Sequence, residues 1–113
     1  MCLNQRWNGC KYNFVHLDFW AHKENIINGD LCILKDVLQH WSLANIYAFL
    51  DFVVLHKKFK YILITNCCVR ARDDLDIADG YWRPLSCDYL PLKKYNPQKL
   101  GTYNTKEVCL ICP

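Results

Sequence analysis

Asp30–Ser42 reads DLCILKDVLQHWS. It opens with an apolar run, Leu31-Cys32-Ile33-Leu34, turns polar at Lys35 and Asp36, and becomes apolar again at Val37 and Leu38, with Gln39, His40 and Trp41 behind. A short apolar run that stops in charge is the pattern of a central parallel strand, covered on both faces and therefore free of alternation. In open α/β sheets, ligands sit beyond the carboxyl ends of the strands, and Lys35 and Asp36 fall at that end. The same two residues also fit a plain strand exit with two solvated charges.

Downstream, Ser42 is a good helix N-cap. Leu43, Ile46, Tyr47, Leu50, Val53 and Val54 then recur at helical spacing and give one apolar face. Lys57 and Lys58 suit the C-terminal end of that helix. Tyr61–Thr65, YILIT, reads as a second buried strand. Strand, helix and strand over residues 31–65 make a βαβ unit, for which a right-handed crossover is expected.

Upstream, Tyr12–Phe19 (YNFVHLDF) alternates and reads as a strand ending at Asp18. Residues 20–30 form a polar connection, with a turn signal at Asn28-Gly29-Asp30. Residues 1–11 show no clear period. Residues 70–102 hold Pro84, Pro91 and Pro97, so only short pieces of regular structure are expected there. Arg70, Arg72, Asp73, Asp74, Asp76 and Asp79 form a mixed charged loop, which reads as solvated surface or as a functional loop. Glu107–Cys112, EVCLIC, reads as a final strand. There is no internal repeat.

A chain of 113 residues suffices for one small domain. Its 52% hydrophobic content argues against disorder. A net charge of +3 from scattered residues gives no reason to expect a nucleic-acid partner. Within the helix the apolar runs, Val53-Val54-Leu55 among them, are far too short to span a bilayer, so no membrane association is expected. MCLNQRWNGCKYN at residues 1–13 lacks a signal-peptide apolar region, and a cytoplasmic setting is the expectation. Eight cysteines would suggest a disulfide framework in a short secreted chain. Here Cys32, Cys67 and Cys109 sit in apolar runs, where a free thiol behaves as a small hydrophobe. Cys109-Leu-Ile-Cys112 has CxxC spacing but no second CxxC and no paired histidines, so no metal is expected.

HLDF at 16–19, DLCILKDVLQHWS at 30–42, YILITN at 61–66 and DIADGYWRPL at 76–85 together resemble the Rossmann-like S-adenosylmethionine-dependent methyltransferases. The last motif is similar to one bacterial and viral branch of uncharacterised members. The resemblance covers about residues 12–112. It implies that the strands are the third, fourth, fifth and last of the family's seven, with the fourth lying between the first and the fifth. One departure is large. The family's first strand ends in a glycine-rich loop close to the cofactor, and its second ends in an acid that binds ribose hydroxyls. Gly9, Gly29, Gly80 and Gly101 are the only glycines here and no two are near each other. The expected fold is therefore α/β, a partial methyltransferase-like sheet in one domain over 1–113, lacking the glycine-rich N-terminal half.

The resemblance implies that Asp18 and Phe19 bind the adenine of S-adenosylmethionine and that Lys35 and Asp36 lie near its methionine part. His40 and Trp41 fall at the family's helix entry, where packing and catalysis are both open. Asp36 and His40 are the candidate bases where an acceptor must lose a proton. Arg83 carries a planar fork that suits an acidic or polar substrate, with a loop-anchoring salt bridge as the favoured reading. Three functions follow: a methyltransferase remnant inactive alone, one half of a split enzyme completed by a partner chain, or a non-catalytic interaction protein using its open sheet edge. A bare fourth strand calls for a second chain or for self-association over its edge.

Overall fold

The structure, a computed structural model, describes residues 15–113. It is a small α/β fold with a four-stranded mixed sheet and one α-helix. In chain order the elements are β1 (Gly29–Lys35), α1 (Leu43–Leu55), β2 (Phe59–Cys67), β3 (Gln98–Tyr103) and β4 (Lys106–Ile111). Short 3₁₀ turns lie at Lys23–Asn25, Leu38–His40 and Leu92–Tyr95. The sheet order is β1-β2-β4-β3. β1 and β2 are parallel, with Leu31 beside Tyr61 and Lys35 beside Thr65. β4 runs antiparallel to both β2 and β3. No helix among the described residues is long and apolar enough to cross a membrane.

α1 forms where the sequence expects it. Ser42 is extended at the N-cap and its Oγ accepts from the Asn45 amide at 3.3 Å. Ile46, Phe49, Leu50 and Val53 are buried at helical spacing. They pack over Leu34, Ile62, Ile64 and Ile111 of the sheet in one core. Each such side chain contributes about 1.5–3 kcal/mol on burial. The helix closes in a Schellman motif: Lys58 N donates to Val53 O and Lys57 N to Val54 O. Lys57 takes the left-handed position at φ 47°, where glycine is the usual residue.

Three expectations change. Leu31–Leu34 is not covered on both faces: Leu31 is 50% and Ile33 61% exposed, while Leu34 is buried. One helix covers one face of a sheet. The opposite face therefore stays open, and Tyr61 of β2 shares it. The strand expected over residues 12–19 is also absent where it is described. Residues 15–18 are irregular, a turn follows from Phe19, and residues 12–14 lie outside the described residues. β3 was hidden inside the expected irregular stretch. All six of its residues are exposed, so it carries no apolar alternation, and a register shift lies between Lys99 and Gly101.

The thiols divide by burial. Cys87 and Cys109 are buried, Cys32 and Cys67 are half-buried, and Cys112 is exposed. Burial, with Cys87 and Glu107 alongside, pushes the Cys109 thiol up to about 12. Burial likewise raises the Cys32 thiol. Cys2 and Cys10 lie outside the described residues.

β1 pairs only with β2 among the described residues, which makes it an edge. Gly29 N donates to Lys58 O at 2.9 Å, so odd-numbered residues of β1 turn their backbone groups toward β2. Asp30, Cys32 and Leu34 turn theirs outward. Amide hydrogen exchange should therefore alternate along β1 in a monomer, slow at Leu31 and Ile33 and fast at Cys32 and Leu34. Slow exchange at all four would mean that another strand covers the edge.

Candidate functional site

The carboxyl ends of β1 and β2 are the expected place for a ligand in a parallel pair. Asp36 follows β1 with φ 55°, and its amide donates to Thr65 O at 2.8 Å. Its carboxylate pairs with the Lys106 ammonium at the start of β4. That hydrogen bond pushes the Lys106 ammonium up. Asp36 thus ties β1 to β4 across the end of β2. Lys35, one residue earlier, is exposed.

Between β1 and α1 the chain makes a 3₁₀ turn that buries Leu38 and Gln39. Gln39 Oε1 accepts from the Cys67 amide at 3.0 Å, which fixes the orientation of its side-chain amide. Its Nε2 therefore faces His40 Nε2, at 3.4 Å. His40 Nδ1 lies 2.9 Å from the Tyr81 carbonyl, which can only accept. Nδ1 therefore donates, and both ring nitrogens are engaged.

The segment 73–85 folds back over this turn and over the start of α1. Asp79 accepts from the Ser42 amide at 2.8 Å and from Asn45 Nδ2 at 2.7 Å. Asp76 accepts from the Leu43 amide at 2.9 Å. Asp74 accepts from the Tyr47 hydroxyl at 2.7 Å. The first amides of a helix have no partner within it, and the N-terminal end of the helix dipole favours negative charge. Two aspartates from a distant loop answer both needs. The Ser42 amide and then the Asn45 side chain hold the Asp79 carboxyl below its ordinary range.

Arg83 locks the same loop from within. It is 1% exposed. Its Nε donates to Leu75 O at 3.1 Å, Nη1 to Leu38 O at 3.0 Å, and Nη2 to Trp41 O. Burial pulls the guanidinium pKa down, and Asp76 and Asp79 pull it back up. The expected substrate-positioning role gives way to a structural one, because no part of the fork faces outward. The anchoring partners are carbonyls, not the carboxylate of a salt bridge.

Asp18 and Phe19 serve the N-terminal segment. Asp18 Oδ1 accepts from Trp20 N at 3.1 Å and Ala21 N at 3.3 Å, a local turn. The Phe19 ring packs 5.5 Å from both Trp41 and Phe49. No hydrogen bond joins any two of Asp18, Phe19, Lys35, Asp36, His40 and Arg83. None of them lines the groove at this end of the sheet, which is formed by Val69, Arg70, Arg72, Leu75, Trp82 and Pro84. No group of three or more metal-ligating side chains converges among the described residues.

A second polar cluster lies on β4. Glu107 is buried, accepting from Ser86 Oγ at 2.8 Å and Cys87 N at 2.7 Å, with Lys99 Nζ at 3.5 Å. Asn66 stands opposite Glu107 in the β2–β4 register and is also buried. Its side-chain amide has no partner among the described residues. Sequence reasoning missed Gln39, Asp76, Asp79 and Glu107. The backbone amides that they cap stand between 20 and 37 residues away, where no local spacing signals them.

Comparison with known proteins returns no matching family model, no matching curated protein and no matching solved structure.

Two outcomes follow for the lock. Arg83→Lys should destabilise the protein by about 2–4 kcal/mol in urea unfolding, because an ammonium cannot reach three carbonyls and leaves buried acceptors unpaired. An unchanged midpoint would show that the fork is dispensable. For Asp79, a carboxyl held low in the fold adds stability that is present above the ordinary aspartate range. That stability is lost as pH falls through the lowered value. Melting temperature from pH 6 to pH 2 should fall less steeply for Asp79→Asn than for the parent.

Proposed function

We propose that this chain is a partial α/β domain of the S-adenosylmethionine-dependent methyltransferase type, without transferase activity of its own. The observation that carries the reading is the parallel pair β1 and β2, joined through α1, with no strand on the far side of β1 among the described residues. In the resembled family that side belongs to the first strand, whose exit carries the glycine-rich loop. Motif order along the chain agrees with this assignment.

The residues present do not fit the cofactor by themselves. Close backbone approach to a ligand needs glycine, since a Cβ would intrude. The β1–α1 connection, residues 36–42, contains none. Gly29 begins β1, Gly101 lies in β3 and Gly80 sits in a turn after Asp79. Asp18, the expected adenine partner, is engaged in its own turn. Asp36 and His40, the expected bases, are engaged with Lys106 and with Gln39 and Tyr81. No methyl-transfer step is therefore assigned to these side chains.

A second reading rests on the outward backbone groups of Asp30, Cys32 and Leu34. Here the chain is one half of a split enzyme, and the partner that carries the glycine-rich half adds its strand to this edge. S-adenosylmethionine would then be held by the completed pair. The edge equally suits self-association or a purely non-catalytic interaction.

Calorimetric titration of the purified chain with S-adenosylmethionine tests the first reading. The expected result is no saturable heat. Several missing polar contacts at ~1–3 kcal/mol each lower affinity by orders of magnitude. A micromolar dissociation constant would overturn it.

A further inference from the structure

The groove at the carboxyl end of β2 has none of the expected site residues in its walls, and its lining is cationic and aromatic. It is an open groove of ≈ 540 Å³ lined by Val69, Arg70, Arg72, Leu75, Trp82 and Pro84. That volume falls within the range of small-molecule sites, about 300–1,000 Å³. Its position, just beyond a parallel strand, is where α/β sheets place ligands.

Charge is distributed unevenly in this loop. Asp73, Asp74, Asp76 and Asp79 all accept hydrogen bonds, from Leu90 N, the Tyr47 hydroxyl, Leu43 N and Ser42 N respectively. The acids are turned toward α1 and the neighbouring loop. Arg70 and Arg72 are exposed, and neither has an acidic partner within ion-pair distance among the described residues. The four carboxylates, exposed themselves, find hydrogen-bond donors within the protein, while the two guanidinium groups line the groove without an acidic partner among the described residues.

Arg70 also holds an unfavourable backbone. Ala71 N donates to Cys68 O at 3.2 Å, closing a turn whose third residue is Arg70, at φ 61°. Turns with this geometry take glycine or asparagine there, because the Cβ of another L-residue is crowded by the backbone. An arginine stands where glycine is easier. Trp82 lies across the groove, 50% exposed, a large flat apolar surface left to solvent.

The geometry points to a binding site for a small planar ring that carries a phosphate, such as a nucleoside monophosphate. The ring stacks on Trp82 and the phosphate takes the forks of Arg70 and Arg72. Guanidinium groups match phosphate oxygens two at a time, and aromatic stacking supplies the apolar contact. This site is independent of the methyltransferase reading, because S-adenosylmethionine bears no phosphate.

Titration of the full chain with adenosine monophosphate, adenosine and inorganic phosphate tests it, read by calorimetry and by tryptophan fluorescence. The monophosphate should bind with submillimolar affinity, and adenosine and phosphate at least ~10-fold more weakly, since each keeps only one of the two contacts. Arg72→Gln and Trp82→Ala should each weaken the monophosphate by ~10-fold, with circular dichroism unchanged. Arg70→Gly separates the two roles of that residue: it should raise the melting temperature by relieving the turn and still weaken binding. Absence of saturable binding, equal affinity for adenosine and the monophosphate, or unchanged affinity in the Arg70 and Arg72 variants would each overturn the proposal.

Discussion

A buried guanidinium holds the carboxyl end of this sheet's parallel pair together. Arg83 reaches the carbonyls of Leu38, Trp41 and Leu75, two of them in the turn that leads into α1 and one in the loop that covers it. A planar fork can satisfy several buried acceptors at once, and that is why an arginine and not a lysine serves here. Leaving water is costly for a cation, and the nearby Asp76 and Asp79 offset part of that cost. The same two aspartates accept from the first amides of α1. One electrostatic arrangement thus closes the loop, starts the helix and fixes the 3₁₀ turn that carries His40.

From that arrangement follows the chemistry of the sheet end. The groups most suited to acid–base work, Asp36 and His40, are already tied to Lys106, Gln39 and Tyr81. Groups left facing outward are Lys35, Arg70, Arg72 and the rings of Tyr81 and Trp82. Those groups are cationic and aromatic. The surface at this end is suited to hold an anion and a ring.

The other face tells of coverage. One amphipathic helix and the loop beside it bury Leu34, Ile62, Ile64 and Ile111. On the reverse side Leu31, Ile33 and Tyr61 stay substantially exposed. Among the described residues β1 also presents a row of outward backbone groups with no strand beside them. An apolar face next to an open edge is a setting for association, and charge stands only near the ends of β1, at Asp30 and Lys35.

The sequence by itself determined the elements whose signals are local. Ser42 as N-cap, the buried stripe of α1, β2 and β4 all lie in contiguous residues, and their periods were legible within a residue or two of the observed bounds. Tertiary structure alone decided the rest. Whether Leu31 and Ile33 are covered depends on how many helices pack on the sheet, which no strand encodes in its own residues. β3 is exposed throughout and carried no apolar period to read. The candidate site was least legible of all. Arg83 could be read as a substrate clamp or as an anchor until its partners, 8 to 45 residues away, were in place. A side chain's chemistry is written in its type, but its role is set by which long-range partners take up its hydrogen bonds, and only the folded chain brings those together.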